Sequence, residues 1–472
     1  MLFTSAEFFV LLIVVFALYW LLARRIKWQN ALIVVASYVF YGWWDWRFLL
    51  LIAFTSFCSW GSGLLIGKAE SRKKAKAWMW TNIVLNLGIL ALFKYYDFFV
   101  SEFAQLFHIT TNGLLLKMIL PVGISFYTFQ ALSYSIDVYQ KKLEPTKDVV
   151  EFFAYVSFFP QLVAGPIERA TNLLPQFQKQ RQFDYPLAVD GIRQMLWGFF
   201  KKVVVADSCA NYVDSIWNDY GGQSGFNLVM AAVLFSIQIY GDFSGYSDIA
   251  IGTAKLFGIR LMRNFKNPYF SRDIAEFWRR WHVSLTTWFR DYVYIPLGGS
   301  RVSKIKVVRN TFIIFLLSGF WHGANWTFLA WGGFHALLFL PLILMGKNRK
   351  YTDVVATGRW LPKGKELLQM ALTFVLVAIG WILFRSPHIT DAWNFFTGIF
   401  TPGFFSGINI PKKAIVFVLL MLLVEWFQRN REHGLALEGV RYGIVRYACY
   451  LGLLVVIFVF GVFNETFIYF QF

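Results

Sequence analysis

The chain has 472 residues, 57% of them hydrophobic and 20% aromatic, with only 15% charged and a net charge of +18. Soluble globules carry about 25% charged residues, so this composition excludes an ordinary soluble enzyme, a disordered chain and a secreted disulfide scaffold, and it fits a polytopic membrane protein whose apolar surface is covered by lipid. The basic excess lies in short clusters between apolar runs rather than in a separate basic domain, which points to loops facing anionic lipid and not to nucleic acid.

The first apolar run, Phe8–Ala23, follows Glu7 and is closed by Arg24, Arg25 and Lys27. With no basic leader and no small-residue cleavage site, it reads as a retained span rather than a signal peptide. Ala31–Trp44 and Phe48–Gly67 follow, then the basic loop Lys68–Lys76, the run Trp78–Phe93, the aromatic stretch Lys94–Thr111, and Leu114–Tyr139 closed by Lys141, Lys142 and Lys147. The basic loops fall after the first, third and fifth spans, so the positive-inside rule puts the N-terminus outside.

Beyond this, Glu151–Gly165 is apolar and Pro166–Tyr185 is polar and basic. Leu187–Val205 is interrupted by Lys201 and Lys202, and Phe226–Phe257 is broken by Gly241, Asp242, Gly245 and Asp248. Residues 259–309 are the most polar part, expected at the cytoplasmic surface. Asn310–Met345 then holds no Asp, Glu, Lys or Arg over 36 residues. An ordinary span needs about 20, so this run must tilt, kink or turn back. Leu367–Phe384, Ala414–Trp426 and Ile444–Val462 complete ten to twelve expected spans in one all-α integral membrane domain, residues 1–472. Cys58, Cys209 and Cys449 form no spaced pair, so neither a disulfide framework nor a metal site is expected.

Two constellations carry chemistry. His322 lies in Ser318–Trp326, deep in the charge-free run and flanked by Gly319 and Gly323. An imidazole at that depth either hydrogen-bonds between helices or serves a reaction as a neutral general base. Asn325, Trp321 and Trp326 are nearby in sequence as oxyanion donors or pocket walls. His335, thirteen residues on, points to the other side of a straight helix and reads as packing. The second constellation runs from Glu276 through His282 to Gly299. Trp278, Trp281, Trp288 and Phe289 are expected in the membrane interface. Arg279, Arg280 and Arg290, with Lys266, offer contacts for phosphates. This block is either an amphipathic anchor or a docking site for an anionic phosphorylated donor. At the chain end, Tyr469 is either part of an aromatic interface anchor or a nucleophile that relays an acyl group. The sequence has no G-x-S-x-G, P-loop, H-E-x-x-H or H-x-x-x-x-D pattern, which removes the main support for hydrolase, pump and zinc-protease readings.

Trp321-His322-Gly323, forty positions after Arg-Arg-Trp-His282, resembles the membrane-bound O-acyltransferase (MBOAT) family. Glu276–His282, Trp288–Gly299 and Ser318–Trp326 look like its bacterial alginate and peptidoglycan O-acetylation branch, as do Pro121–Asp137, Phe158–Arg169 and Gly241–Ile249. The resemblance implies a bundle of about 11 transmembrane helices plus re-entrant helices around a central funnel. It implies that His322 is the essential histidine and His282 the second family histidine. It further implies a bacterial cytoplasmic membrane enzyme with no bound cofactor, an acyl-CoA donor (acetyl-CoA), a polysaccharide acceptor and an extracytoplasmic SGNH-type transferase partner. Acylation of a lipid or a protein is an alternative within the family. A transporter of an acyl carrier is an alternative outside it, and the polar groups Asp242 and Asp248 would suit one.

Overall fold

The computed structural model describes residues 1–111, 113–463 and 467–468, and no strand occurs among them. Among the described residues six helices are long and apolar enough to cross a membrane: Arg47–Gly67, Arg72–Lys94, Gly225–Leu256, Trp326–Leu344, Gly364–Arg385 and Gly443–Phe460. Ala6–Leu21 is a shorter apolar helix of 16 residues, about 24 Å long. Eleven spans remain what the resemblance implies. The chain forms two compact units, one of residues 1–192 with 250–262, the other of residues 193–249 with 263–472.

In the first unit, polar side chains pair between helices as lipid burial demands. Asn82 Nδ2 donates to Ser135 Oγ at 2.6 Å, and Ser59 Oγ donates to Asn82 Oδ1 at 3.1 Å. Gly63 takes the Tyr134 ring where a Cβ would lie 2.3 Å from it. Glu168 is fully buried, accepting from Asn172 Nδ2 at 2.7 Å and from the Met262 backbone N–H. The expected span Leu114–Tyr139 is helical only over Ile124–Tyr139, which begins after Gly123 in the left-handed region. Glycine enters that region without strain.

In the second unit, which begins at Arg193, the helical chain passes into a π-helical stretch, Phe200–Ala206, before resuming as Asp207–Trp217. The π stretch carries Lys201 and Lys202, both buried. Lys201 Nζ lies 2.6 Å from Asp248 and donates to Ser244 Oγ at 2.9 Å. Lys202 Nζ lies 2.8 Å from Asp207 and 2.9 Å from Asp242. These pairs correct the expectation that the run around Asp242 and Asp248 is broken. Gly225–Leu256 is one continuous helix of 32 residues, because its carboxylates are neutralised where they stand. The close approach is made by glycines: a Cβ on Gly198 would lie 2.6 Å from the Gly245 carbonyl oxygen.

The charge-free run folds as two helices, Lys304–His322 and Trp326–Leu344, joined by Gly323–Asn325. This is the turn-back that its length requires. Gly319 faces the Phe328 carbonyl and Gly332 the Phe315 carbonyl, where added Cβ atoms would lie 2.2 and 2.3 Å away. Because the chain reverses, His335 returns toward the histidine side instead of pointing away from it. Replacing Gly332 by Val forces these backbones apart. Overpacking of this kind typically costs about 1–3 kcal/mol, so thermal unfolding in detergent should show a clear loss of stability; an unchanged Tm would contradict the close pairing.

Candidate active site

The site lies in the second unit. His282 and His322 line one cavity of about 60 Å³, with Trp278, Trp281, Leu285, Thr286, Phe289, Ile314, Phe315 and Ser318. The arrangement starts from two chain breaks. Lys304–His322 ends on the histidine, and Gly323 follows in extended conformation. His282 interrupts two seven-residue helices, Ile274–Arg280 and Val283–Phe289, with φ 44° and ψ 54°. A non-glycine residue there carries strain.

Asn264 holds that strained turn. Its carbonyl oxygen accepts from Val283 N–H at 2.8 Å, and its side-chain Oδ1 faces His282 Nδ1 at 3.1 Å and accepts from Ser284 Oγ at 2.9 Å. An acceptor at Nδ1 assigns the proton to that nitrogen and leaves the lone pair on Nε2. Burial pushes the His282 imidazole down to about 3, so the ring is neutral at ordinary pH. The sequence offered no signal for Asn264, which stands eighteen positions before its partner.

His322 is 5% exposed. Aromatic edges surround it: Trp321 at 4.9 Å, Phe384 at 5.1 Å and Trp331 at 5.3 Å between ring centroids. Trp321 also meets His282 at 5.9 Å, so it bridges the two histidines. Trp331 meets His335 at 5.1 Å. The expectation that Trp278, Trp281, Trp288 and Phe289 sit in the membrane interface is corrected. All four are buried, because the helices that carry them are too short to lie as one amphipathic face.

The other residues singled out from the sequence are placed differently. Asn325 caps the Trp326–Leu344 helix, accepting from Thr327 N–H at 3.0 Å and donating to the Pro387 carbonyl at 2.8 Å. Trp326 is 52% exposed. Neither lines the cavity. Arg279 donates to the Asn348 and Tyr351 carbonyls at 2.6 Å each. Arg280 pairs with Glu276 at 2.7 Å and donates to the Asp353 carbonyl at 2.7 Å. Arg272 reaches the same Asp353 at 2.9 Å, so these arginines fasten the 348–353 loop. Arg290 and Lys266 are exposed, and Arg290 contacts Asp291 at 2.7 Å. Tyr469 lies outside the described residues. Just before it, the Ile468 N–H donates to Asp242 Oδ2 at 2.7 Å. Phe467 packs on Tyr246 at 4.9 Å and on Phe243 at 6.1 Å, and Phe243 stands edge-on to His282 at 4.7 Å. Among the described residues no cluster of His, Cys, Asp or Glu is arranged to hold a metal ion.

The depressed His282 pKa has a thermodynamic sign. The unfolded chain takes up a proton near 6.5 and the folded site only near 3. The unfolded state therefore binds more protons in that window, and stability present above about pH 6.5 is lost as pH falls toward 3. The variant His282→Asn should lose less stability than the parent between about pH 7 and pH 4.5; identical slopes in detergent melts would contradict the assignment.

The MBOAT family model (membrane-bound O-acyltransferase family) matches residues 145–360, which include both histidines. The chain is 40% identical over 409 residues to the Probable alginate O-acetylase AlgI of Pseudomonas aeruginosa, covering 85% of this chain and 75% of that protein. It is 30% identical over 490 residues to the Peptidoglycan O-acetyltransferase of Helicobacter pylori, covering 93% and 91%. It is also 28% identical over 276 residues to the Teichoic acid D-alanyltransferase of Bacillus subtilis, covering 56% and 68%. With its all-helical membrane architecture, this chain belongs to the membrane-bound O-acyltransferase family and is an acyltransferase.

Proposed function

We propose that the protein is an O-acetyltransferase of the bacterial cytoplasmic membrane. It takes an acetyl group from a cytoplasmic thioester donor, acetyl-CoA, and passes it outward for esterification of a surface or exported polysaccharide. The observation that carries this reading is the shared cavity of about 60 Å³ between His282 and His322, in a chain similar to alginate and peptidoglycan O-acetylating proteins.

His322 serves as the general base. A hydroxyl entering the cavity gives its proton to the imidazole as its oxygen attacks the thioester carbonyl. The imidazolium so formed sits at the last residue of a 19-residue helix, where the negative end of the helix dipole stabilises a cation. The carbonyl π pair moves to oxygen, then returns as the C–S bond breaks. The departing thiolate takes the proton from His322, so alcohol and thioester become ester and thiol. His282, neutral and fixed by Asn264, orients the acceptor or the acyl group from the facing wall. Trp321 packs against both imidazole rings, and Asn325 fixes the turn that follows His322. Exposed Lys266 and Arg290 meet the donor phosphates, while Arg279 and Arg280 hold the neighbouring loop.

CoA does not cross the membrane, so the acetyl group needs a carrier to the outer face. Tyr469 is proposed as that relay: its phenol forms an ester and hands it to an extracytoplasmic SGNH-type transferase. Phe467 packs on Phe243, which stands against His282, and the Ile468 N–H donates to Asp242; these contacts of the preceding residues support the proposal. The N-terminus outside and the whole chain acting as one membrane enzyme belong to the same proposal.

Replacing His322 by Ala should lower acetyl transfer by at least about 10³-fold, within the range that a positioned base contributes, with the folded protein unchanged in amount. CoA release from acetyl-CoA by purified protein and acetyl analysis of surface glycans measure this; normal glycan acetylation in the variant ends the reading. The variant Tyr469→Phe removes the acceptor hydroxyl, so CoA release and glycan acetylation should both fall, with no acetyl-tyrosine detectable by mass spectrometry; normal glycan acetylation in the variant ends the relay.

A further inference from the structure

The helices Arg47–Gly67 and Arg72–Lys94 are both long and apolar enough to cross a membrane, and only residues 68–71 separate them. Their turn therefore lies at a membrane surface. The helix Ile124–Tyr139 ends beside it, and residues of all three helix ends line a cavity of about 570 Å³, within the range of roughly 300–1,000 Å³ usual for a small-molecule site. The lining is amphipathic: Arg72, Lys141, Tyr139 and Ser71 share it with Ile66 and Leu143. The wall is firmly built. Pro145 fills the space over Gly67, where a Cβ would lie 2.5 Å from the proline ring. The Thr146 carbonyl accepts from Trp60 Nε1 at 3.1 Å, and the Thr146 N–H donates to the Tyr134 hydroxyl at 3.2 Å. Arg72 stands over the Tyr139 ring, 5.7 Å from its centroid, and its Nε donates to the Tyr139 hydroxyl at 3.4 Å.

Residues 68–76 and 141–147 carry eight Lys and Arg against two Glu. Of the two acids, Glu70 is taken by Lys74 at 2.6 Å. Among the described residues neither Arg72 nor Lys141 pairs with a carboxylate, so both cations remain available at the cavity. Its depth in the bilayer follows from the same helix. Trp78 and Trp80 are exposed, six and eight residues past Arg72, which is about 9 and 12 Å along the axis. Exposed tryptophans mark the boundary between headgroups and hydrocarbon, so the cavity opens at headgroup level.

We infer that this cavity binds the phosphodiester headgroup of an anionic phospholipid of the phosphatidylglycerol class. Arg72 and Lys141 meet the phosphate oxygens, as basic pockets between membrane helices do for anionic headgroups. Glu144, also in the lining, accepts from a glycerol hydroxyl, and the apolar wall meets the start of the acyl chains. A soluble phosphate would offer the same oxygens, but it would make no use of the apolar wall or of the headgroup depth. The site lies in the first unit, whereas both histidines lie in the second, and it does not rest on the acyl transfer proposed above.

The test titrates dioleoyl phosphatidylglycerol into the purified full chain in detergent and measures bound lipid by native mass spectrometry. The double variant Arg72→Gln, Lys141→Gln removes both cations from the cavity; both side chains are exposed, where substitutions disturb folding little. A control double variant, Lys73→Gln with Lys76→Gln, removes the same charge from exposed positions outside the lining. The cavity variant should bind the lipid with a Kd at least about 5-fold above that of the control, as expected for lost hydrogen bonds to a charged group. A smaller difference makes the attraction one of general surface charge and overturns the site. Dioleoyl phosphatidylcholine, zwitterionic and without the glycerol hydroxyls, should bind the parent at least about 5-fold more weakly than phosphatidylglycerol; a smaller gap overturns the anionic headgroup. Glycerol 3-phosphate at about 10 mM should leave most of the phosphatidylglycerol bound; displacement of half or more assigns the cavity to a soluble phosphate compound and overturns the lipid.

Discussion

In a lipid environment every backbone and side-chain polar group must find its partner inside the protein. That constraint governs the placement of His322. A single straight helix through the charge-free run would leave the imidazole partway along a lipid-facing cylinder. The chain instead stops at His322, turns through Gly323–Asn325 and runs back. The glycines at positions 319 and 332 let the two backbones touch. The reversal brings Trp331 against His322 and carries His335 to the far side of Trp331. The cavity shared by the two histidines is thus a by-product of how a long uncharged segment avoids being one long span.

Charge follows the same logic in the second unit. Its buried lysines meet carboxylates on the Gly225–Leu256 helix, and buried Arg280 and half-buried Arg279 meet backbone carbonyls of the 348–353 loop. Breaking such a buried pair is far more damaging than its net contribution suggests, since the remaining charge is stranded. Part of the basic character between residues 259 and 309 is therefore structural. Arg260, Lys266, Arg290, Arg301, Lys304, Lys306 and Arg309 are exposed and left to meet solvent and solutes.

The membrane class, the helical architecture and the need for Asn310–Met345 to tilt, kink or turn back were legible because they rest on composition and bilayer thickness, which are one-dimensional quantities; the structure selects the turn-back. The pairing of His282 with His322 was legible only through family resemblance, since no spacing rule places residues forty positions apart in one cavity. Asn264 and its hold on the His282 turn were not legible. They depend on short helices broken by a left-handed histidine, and nothing in local periodicity announces such a break. The tryptophans assigned to the interface show the complementary failure: an aromatic-basic alternation looks amphipathic, yet two seven-residue helices with a kink between them bury nearly every ring.

The π-helical stretch Phe200–Ala206 has a consequence for how this segment tolerates length changes. A π turn stores surplus chain relative to an α-helix. Deleting one residue within it would let the segment relax to regular α geometry, and each residue removed turns everything beyond it by roughly 100° about the axis. For a deletion at Val203, Val204 or Val205, Asp207 lies beyond the cut and would swing away from Lys202, which it neutralises. The register here is an insertion frozen in place by electrostatics, and a length polymorphism at this point should be purged even though the deleted side chain itself is an ordinary valine.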